Sequence, residues 1–251
     1  MSDLPLTWMA NAFRKNGLRV REVKGWKTRG RDGTFDPRGV VFHHTASSPD
    51  RGSAPALGVV TKGRSNLPGP LCNVLVGRDG TVFLIAAGRS NHAGLGGPFR
   101  NIPKDSANSF LAGVEVENNG VGERWSKELL DTLDVVFATM LLGLRRKSRW
   151  LVAHKEWTTR KIDPADGHGG LDMDGVRVRV RRQLRALSRG DQEPSLRPKE
   201  EAAVTDTHVV QKGDTLFSIA LRHHMSVAEL KKINGLESDL IHVGDKLTVR
   251  G

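Results

Sequence analysis

The chain has 251 residues, 37% of them apolar and 28 of them glycine. That balance excludes a wholly disordered or fibrous protein and, at ~150 residues per domain, predicts one full domain with a small second one. The net charge of +11 is concentrated, with 30 Lys/Arg against 18 Asp/Glu on residues 1–186, and such a field draws polyanions: nucleic acid, anionic lipid or an acidic wall polymer.

The first stretch, MSDLPLTWMANAFRKNGLRV, places an acid early and lacks a continuous apolar core, so it does not read as an export signal. Nor does any apolar run approach the ~18–20 residues that cross a bilayer. Within it, Thr7–Lys15 reads as a short helix, with Trp8/Ala12 and Met9/Phe13 paired at i,i+4 and Gly17 as the stop. RGVVFHH (38–44) fits a buried strand. LCNVLV (71–76) and TVFLIAA (81–87) flank Arg78-Asp79-Gly80, a hairpin signal. The single cysteine, Cys72, excludes an intramolecular disulfide and a cysteine-rich metal site. GVEVEN (113–118) alternates with period two, placing Val114 and Val116 on one face and Glu115 and Glu117 on the other. Ser126 caps a predicted helix to about Arg146, with an apolar stripe through Leu133, Phe137 and Leu141. WLVA (150–153) is another buried strand, and Asp172 or Asp174 caps a last helix that turns Val176 and Val180 inward and most of its arginines outward.

Residues 187–206 are rich in charge, Pro and Ser without apolar periodicity, and read as a linker between domains at 1–186 and 207–251. The C-terminal domain reads as a βααβ unit: THVVQ, DTLFSIALRHH, SVAELKKING and DKLTVR, with Asp214 and Ser226 as N-caps.

Chemistry-bearing residues gather at strand ends. His43 and His44 close the first strand, His154 follows WLVA, and Asp163 comes nine residues later. Two imidazoles and a carboxylate are an open zinc set with room for water. By spacing alone each could equally be an ordinary polar residue at a strand end.

GVVFHHTASSP, VGRDGTV, NHAGLGG, GVEVENNG and AHKEWTTRKIDP stand in the order found in zinc-dependent N-acetylmuramoyl-L-alanine amidases of the type 2 family, which includes phage endolysins and peptidoglycan recognition proteins. Residues 5–186 resemble that family. The resemblance implies an α/β fold with a mixed central sheet flanked by helices and a groove holding one Zn2+. The implied activity is hydrolysis of the amide between N-acetylmuramic acid and L-alanine. It also implies His43, His154 and Asp163 as zinc ligands, Glu115 as general base and Lys161 as the group that stabilises the transition state. Glu117, on Glu115's face, is the rival for the base. His92 and Trp157 are expected along the groove in contact with substrate, with His44 beside His43 as a supporting or substrate-side residue and His168 at the border. Other members carry Cys as third ligand, so Asp163 places this chain nearer the carboxylate branch. Cys72 stands where some members have a substrate-positioning tyrosine, and this chain has no tyrosine.

HVVQKGDTLFSIALRHHMSVAELKKINGLESDLIHVGDKLTV resembles a LysM module over its whole length. That implies binding of N-acetylglucosamine-containing glycans between a loop at Gly213, Asp214, Thr215 and Leu216 and a loop at Leu240 and Ile241. The expectation is therefore a monomeric peptidoglycan hydrolase with no nucleic-acid partner and no membrane insertion. The unmarked N-terminus favours an endolysin made in a host cytoplasm and acting at the bacterial wall. The alternatives are a non-catalytic recognition protein that binds muropeptides in the same groove and, third, a nucleic-acid binder.

Overall fold

The apolar runs named above all enter one sheet, and their order in it decides where the histidines meet. The computed structural model describes residues 4–167, 171–189, 205–223 and 227–250, and the chain divides into two units, Met1–Leu196 and Arg197–Gly251. The first unit runs α1 (Met9–Lys15), β1 (Val20–Glu22), β2 (Val40–His44), α2 (Leu57–Lys62), β3 (Gly63–Arg64), β4 (Leu67–Pro68), β5 (Val74–Val76), β6 (Val82–Leu84), α3 (Ala107–Phe110), β7 (Ala112–Val116), α4 (Lys127–Gly143), β8 (Leu151–Ala153), α5 (His154–Trp157) and α6 (Met173–Arg189). Six strands form one mixed, mostly parallel sheet in the order β1-β6-β5-β7-β2-β8. The β5–β6 pair, joined through Arg78-Asp79-Gly80, is antiparallel, and the other neighbours are parallel.

The two faces are built differently. Phe42, Val114, Val116, Val74 and Ala153 pack against α1, α4 and α6 in the main core. Ser126 accepts the Leu129 N–H at 3.1 Å, so the predicted cap starts α4. Asp172 takes the N–H groups of Asp174 and Gly175 at 3.0 and 3.1 Å, which makes it the cap of α6, while Asp174 pairs with Arg177. That helix runs on through Leu187 and Ser188 to Arg189, into the stretch read from sequence as linker. On the opposite face the cover is in two patches. Val41, Ile102, Leu111, Val152 and Trp157 form one cluster, and Val60, Cys72, Leu75 and Phe83 another. His43 and Glu115 sit opposite each other in the β2–β7 register, toward the carboxyl ends of these parallel strands. In open α/β sheets ligands bind at that edge.

The second unit is the expected βααβ arrangement: β9 (Thr205–Val209), α7 (Leu216–Arg222), α8 (Val227–Asn234) and β10 (Lys246–Arg250), with β9 and β10 antiparallel. Its core holds Val210, Leu216, Ile219, Leu230 and Leu247. The cap of α7 differs from expectation. Asp214 spends its carboxylate on the Gln211 N–H and on His208, and Thr215 caps instead, its Oγ1 taking the Ser218 N–H while Ser218 Oγ takes the Thr215 N–H. Ser226 lies outside the described residues.

Candidate active site

His43 ends β2, His154 opens the single turn of α5, and Asp163 lies on the loop after it; all three side chains are buried. They converge on one point. His43 Nδ1 and His154 Nδ1 are 2.9 Å apart, and Asp163 Oδ2 is 3.1 Å from the first and 2.9 Å from the second.

Tautomers follow from the partners of the other ring nitrogens. His154 Nε2 faces the Ala93 carbonyl at 3.1 Å and must donate to it. His92 Nε2 likewise donates to the Leu111 carbonyl at 3.0 Å, so its Nδ1 is the acceptor for His43 Nε2–H at 3.0 Å. Burial holds His43 down to about 4 and His92 well below the usual imidazole value, so both are neutral. His43 therefore turns an unprotonated Nδ1 toward the Asp163 carboxylate, and His154, its Nε2–H committed to Ala93, turns its Nδ1 to the same oxygen. Two ring nitrogens and a carboxylate oxygen converging in this way suit a cation between them. A tetrahedral ion with bonds of ~2.0–2.1 Å needs ligand atoms about 3.3 Å apart, and the observed triangle is only slightly tighter. The donor set and its geometry fit zinc; His43, His154 and Asp163 are the cluster of metal-binding geometry among the described residues.

Glu115 projects from β7 on the same face, partly open to solvent. Burial, with the Asp163 and Glu117 carboxylates nearby, pushes it up to about 8, against the pull of Lys161 and Arg64. Its Oε2 has no hydrogen-bond partner. Lys161 is exposed, and its charge acts on both Glu115 and His43. Glu117 is a different kind of group. Fully buried, it accepts hydrogen bonds from Thr45 (2.7 Å), Ser47 and the Ala56 N–H (2.8 Å), with Arg78 3.7 Å away. It ties down the loop after β2 and, fully buried, is closed to solvent.

Of the three expected substrate contacts, Trp157 is buried and the two histidines are engaged in hydrogen bonds. His92 has both ring nitrogens committed, and its ring lies against Gly113, where a Cβ would come within 2.6 Å of it. His44 accepts the Ala165 N–H at 3.0 Å and so braces the loop beyond Asp163, its ring fitting over Gly120 at φ +75°. Trp157 is 2% exposed, packed among Ala93, Ile102 and Leu111. Cys72 is buried and its thiol is pushed well above the usual range by that burial, which suits no nucleophile. His168 lies outside the described residues. One supporting residue escaped the sequence reading. Asn108 Oδ1 accepts the N–H groups of His92 and Ala93 at 3.0 and 2.9 Å, fixing the loop that steadies His43 and His154; nothing in its local sequence marks it.

In the second unit, Gly213 and Thr215 are exposed, Leu240 is 69% exposed and Ile241 is half-buried against the core. Leu216 departs from expectation: its side chain is 4% exposed within the core and cannot line a glycan groove. Asp214 is likewise occupied by His208 and Gln211.

A mostly parallel α/β sheet with a His/His/carboxylate centre at its strand ends defines the class of this first unit. The N-acetylmuramoyl-L-alanine amidase family matches residues 33–166, and the chain belongs to it. The LysM domain family matches residues 208–250. The chain is 47% identical over 45 residues to the probable peptidoglycan endopeptidase LytE of Bacillus subtilis, a match covering 18% of this chain and 14% of that protein. It is 44% identical over 50 residues to the N-acetylmuramoyl-L-alanine amidase sle1 of Staphylococcus saprophyticus, covering 20% and 15%. The chain thus spans about a seventh of the length of these relatives. Among solved structures, it is similar to the endolysin amidase LysCS from Clostridium intestinale (16% identity, 64% of this chain and 95% of that one, TM-score 0.46). It is also similar to the Staphylococcus aureus hydrolase AmiA (15% identity, 75% and 95%, TM-score 0.48).

Proposed function

We propose that this protein is a peptidoglycan hydrolase that cleaves the amide between N-acetylmuramic acid and L-alanine, with one zinc ion held by His43, His154 and Asp163. The observation that carries the reading is the convergence of two Nδ1 atoms and one carboxylate oxygen beside Glu115. Bound zinc would supply Lewis acidity to the scissile carbonyl and acidify the attacking water. Glu115 takes the water's proton and passes it to the leaving amine. A carboxylate placed opposite His43 in the sheet register is positioned for that transfer. Lys161 stabilises the developing oxyanion from the solvent side. His92, Asn108 and His44 hold the ligands and their loops in place.

The same proposal divides the chain into a catalytic unit through α6, a linker and a wall-binding unit from residue 207. In that last unit Gly213, Thr215, Leu240 and Ile241 face N-acetylglucosamine-containing glycan. We assign the whole to wall lysis of the endolysin kind. No described helix is long and apolar enough to cross a membrane.

The deciding experiment is digestion of purified walls, with new amino groups and new reducing ends assayed separately. Release of amino groups alone supports the amidase. New reducing ends would mean glycosidase chemistry, and binding of muropeptide without either product would make the protein a recognition protein.

A further inference from the structure

Helices α4 and α6 cover the sheet face that points away from His43 and Glu115. Between their C-terminal turns lies a cavity of about 610 Å3, and six of its lining residues are cations: Arg145, Arg146, Lys147, Arg181, Arg185 and Arg189. All six are exposed.

This charge differs from that on the rest of α6. Arg177 is paired with Glu156 and Asp174, and Arg179 with Asp134. Beyond them neutralisation stops, because residues 135–155 and 175–190 contain no Asp or Glu at all. None of the six cavity cations lies within ion-pair distance of a carboxylate among the described residues. Helix dipoles do not account for them either. Two C-termini present roughly −0.5 charge each, about one charge in total against six.

We infer that this cavity is a binding site for a phosphodiester polymer of the cell wall, a chain of polyol phosphates. Five of the six cations are arginines, whose planar forks match phosphate oxygens two at a time. A concave site ringed by such groups engages several phosphates of one chain together. The lining disfavours a bilayer: Leu184 packs against the core, and Leu142, 38% exposed, is a single apolar side chain at the surface, too little to insert. No aromatic residue lines it to stack a nucleobase. The choice of a wall polymer as the source of phosphate rests on the amidase reading, whereas anion binding in the cavity stands without it.

The test uses the full chain and a defined glycerol-phosphate oligomer, titrated by calorimetry at physiological salt. Arg181→Gln/Arg185→Gln should weaken binding at least tenfold. Arg21→Gln/Lys24→Gln, which removes the same charge at the opposite edge of the sheet, should change it less than twofold. Arg181→Lys/Arg185→Lys, keeping charge without the fork, should fall between. Equal losses in both neutralised variants would reduce the effect to net charge and overturn the site. So would equal affinity for dextran sulfate, which would mark an unselective polyanion surface. Binding to phosphatidylglycerol vesicles but not to the oligomer would overturn the wall polymer in favour of lipid. Wall digestion is scored separately, so oligomer binding without hydrolysis would refute the amidase and leave the site, and hydrolysis without oligomer binding the reverse.

Discussion

Removing the His92 ring should loosen zinc without touching a ligand. In the folded chain His92 Nδ1 takes the Nε2 proton of His43, and its own Nε2–H is anchored on the Leu111 carbonyl, both at 3.0 Å. His92→Ala leaves His43 free to move its proton to Nδ1, the atom that must be bare to bind metal. Loss of such a supporting partner costs about 10–100-fold in metal affinity, or about 1.4–2.8 kcal/mol. Because His92 is only half-buried, water can enter the vacated space and accept the proton, though without an anchor of its own. The expected loss is therefore in the lower part of the range, about 10- to 30-fold. His92→Gln restores an acceptor oxygen on a chain of similar length and should stay within about threefold of the unmutated protein. Competition with a chromophoric chelator measures zinc affinity directly, independent of turnover. If the alanine variant binds zinc as tightly as the unmutated protein, the hydrogen bond does not govern His43 and the tautomer argument fails.

Glu115→Gln should retain zinc by elemental analysis while hydrolysis falls by about 10²–10⁴-fold; Glu117→Gln should instead lower the melting temperature, because its carboxylate holds Thr45, Ser47 and the Ala56 N–H. Asp163→Ala should lose both zinc and activity, whereas Lys161→Ala should keep the metal and lower kcat with little change in muropeptide affinity; retained zinc in the first or lost zinc in the second would reassign the residue. Asp134, pushed up to about 6 by burial although Arg179 adjoins it, binds its proton more tightly folded than unfolded. The stability this contributes is complete below about pH 4 and is lost as pH rises through 6. Relative to Asp134→Asn, the melting temperature of the unmutated protein should thus fall between about pH 4 and 6, and parallel curves would contradict the assignment.

Long or strongly patterned elements were legible from residues alone. The apolar stripe of α4 behind Ser126 repeats a helical period, the hairpin is marked by Asp79-Gly80 between two apolar runs, and β2 by an apolar run too short for a buried helix. Elements too short to show a period were not: β1, α2, α3 and α5 have three to six residues each and are set by what packs on them. The motifs containing the metal-site residues were legible for a similar reason, since they are contiguous. Period two could not separate Glu115 from Glu117, which share a face. Only Glu117's partners, 61 to 72 positions away, exclude it as the base. The role of His92 depends on a backbone carbonyl, an acceptor every residue has and no sequence advertises. Trp157 beside the HKE motif invites a place in the groove, yet the loop from Ala93 to Ile102 folds over it. In GDT of the second unit two residues could cap α7, and the Gln211 N–H with His208 decided which was free to do so.

The metal site is also a statement about when the chain is finished. His43 and Asp163 are 120 positions apart, and an unfolded chain has no means of holding them together, so an ion seated there binds the native state alone. Its free energy of binding then adds to that of folding, by about 2.7 kcal/mol when free zinc stands at a hundred times the dissociation constant. With zinc as the ion held there, heat resistance would not be a property of the polypeptide by itself: it would rise and fall with the zinc available around it.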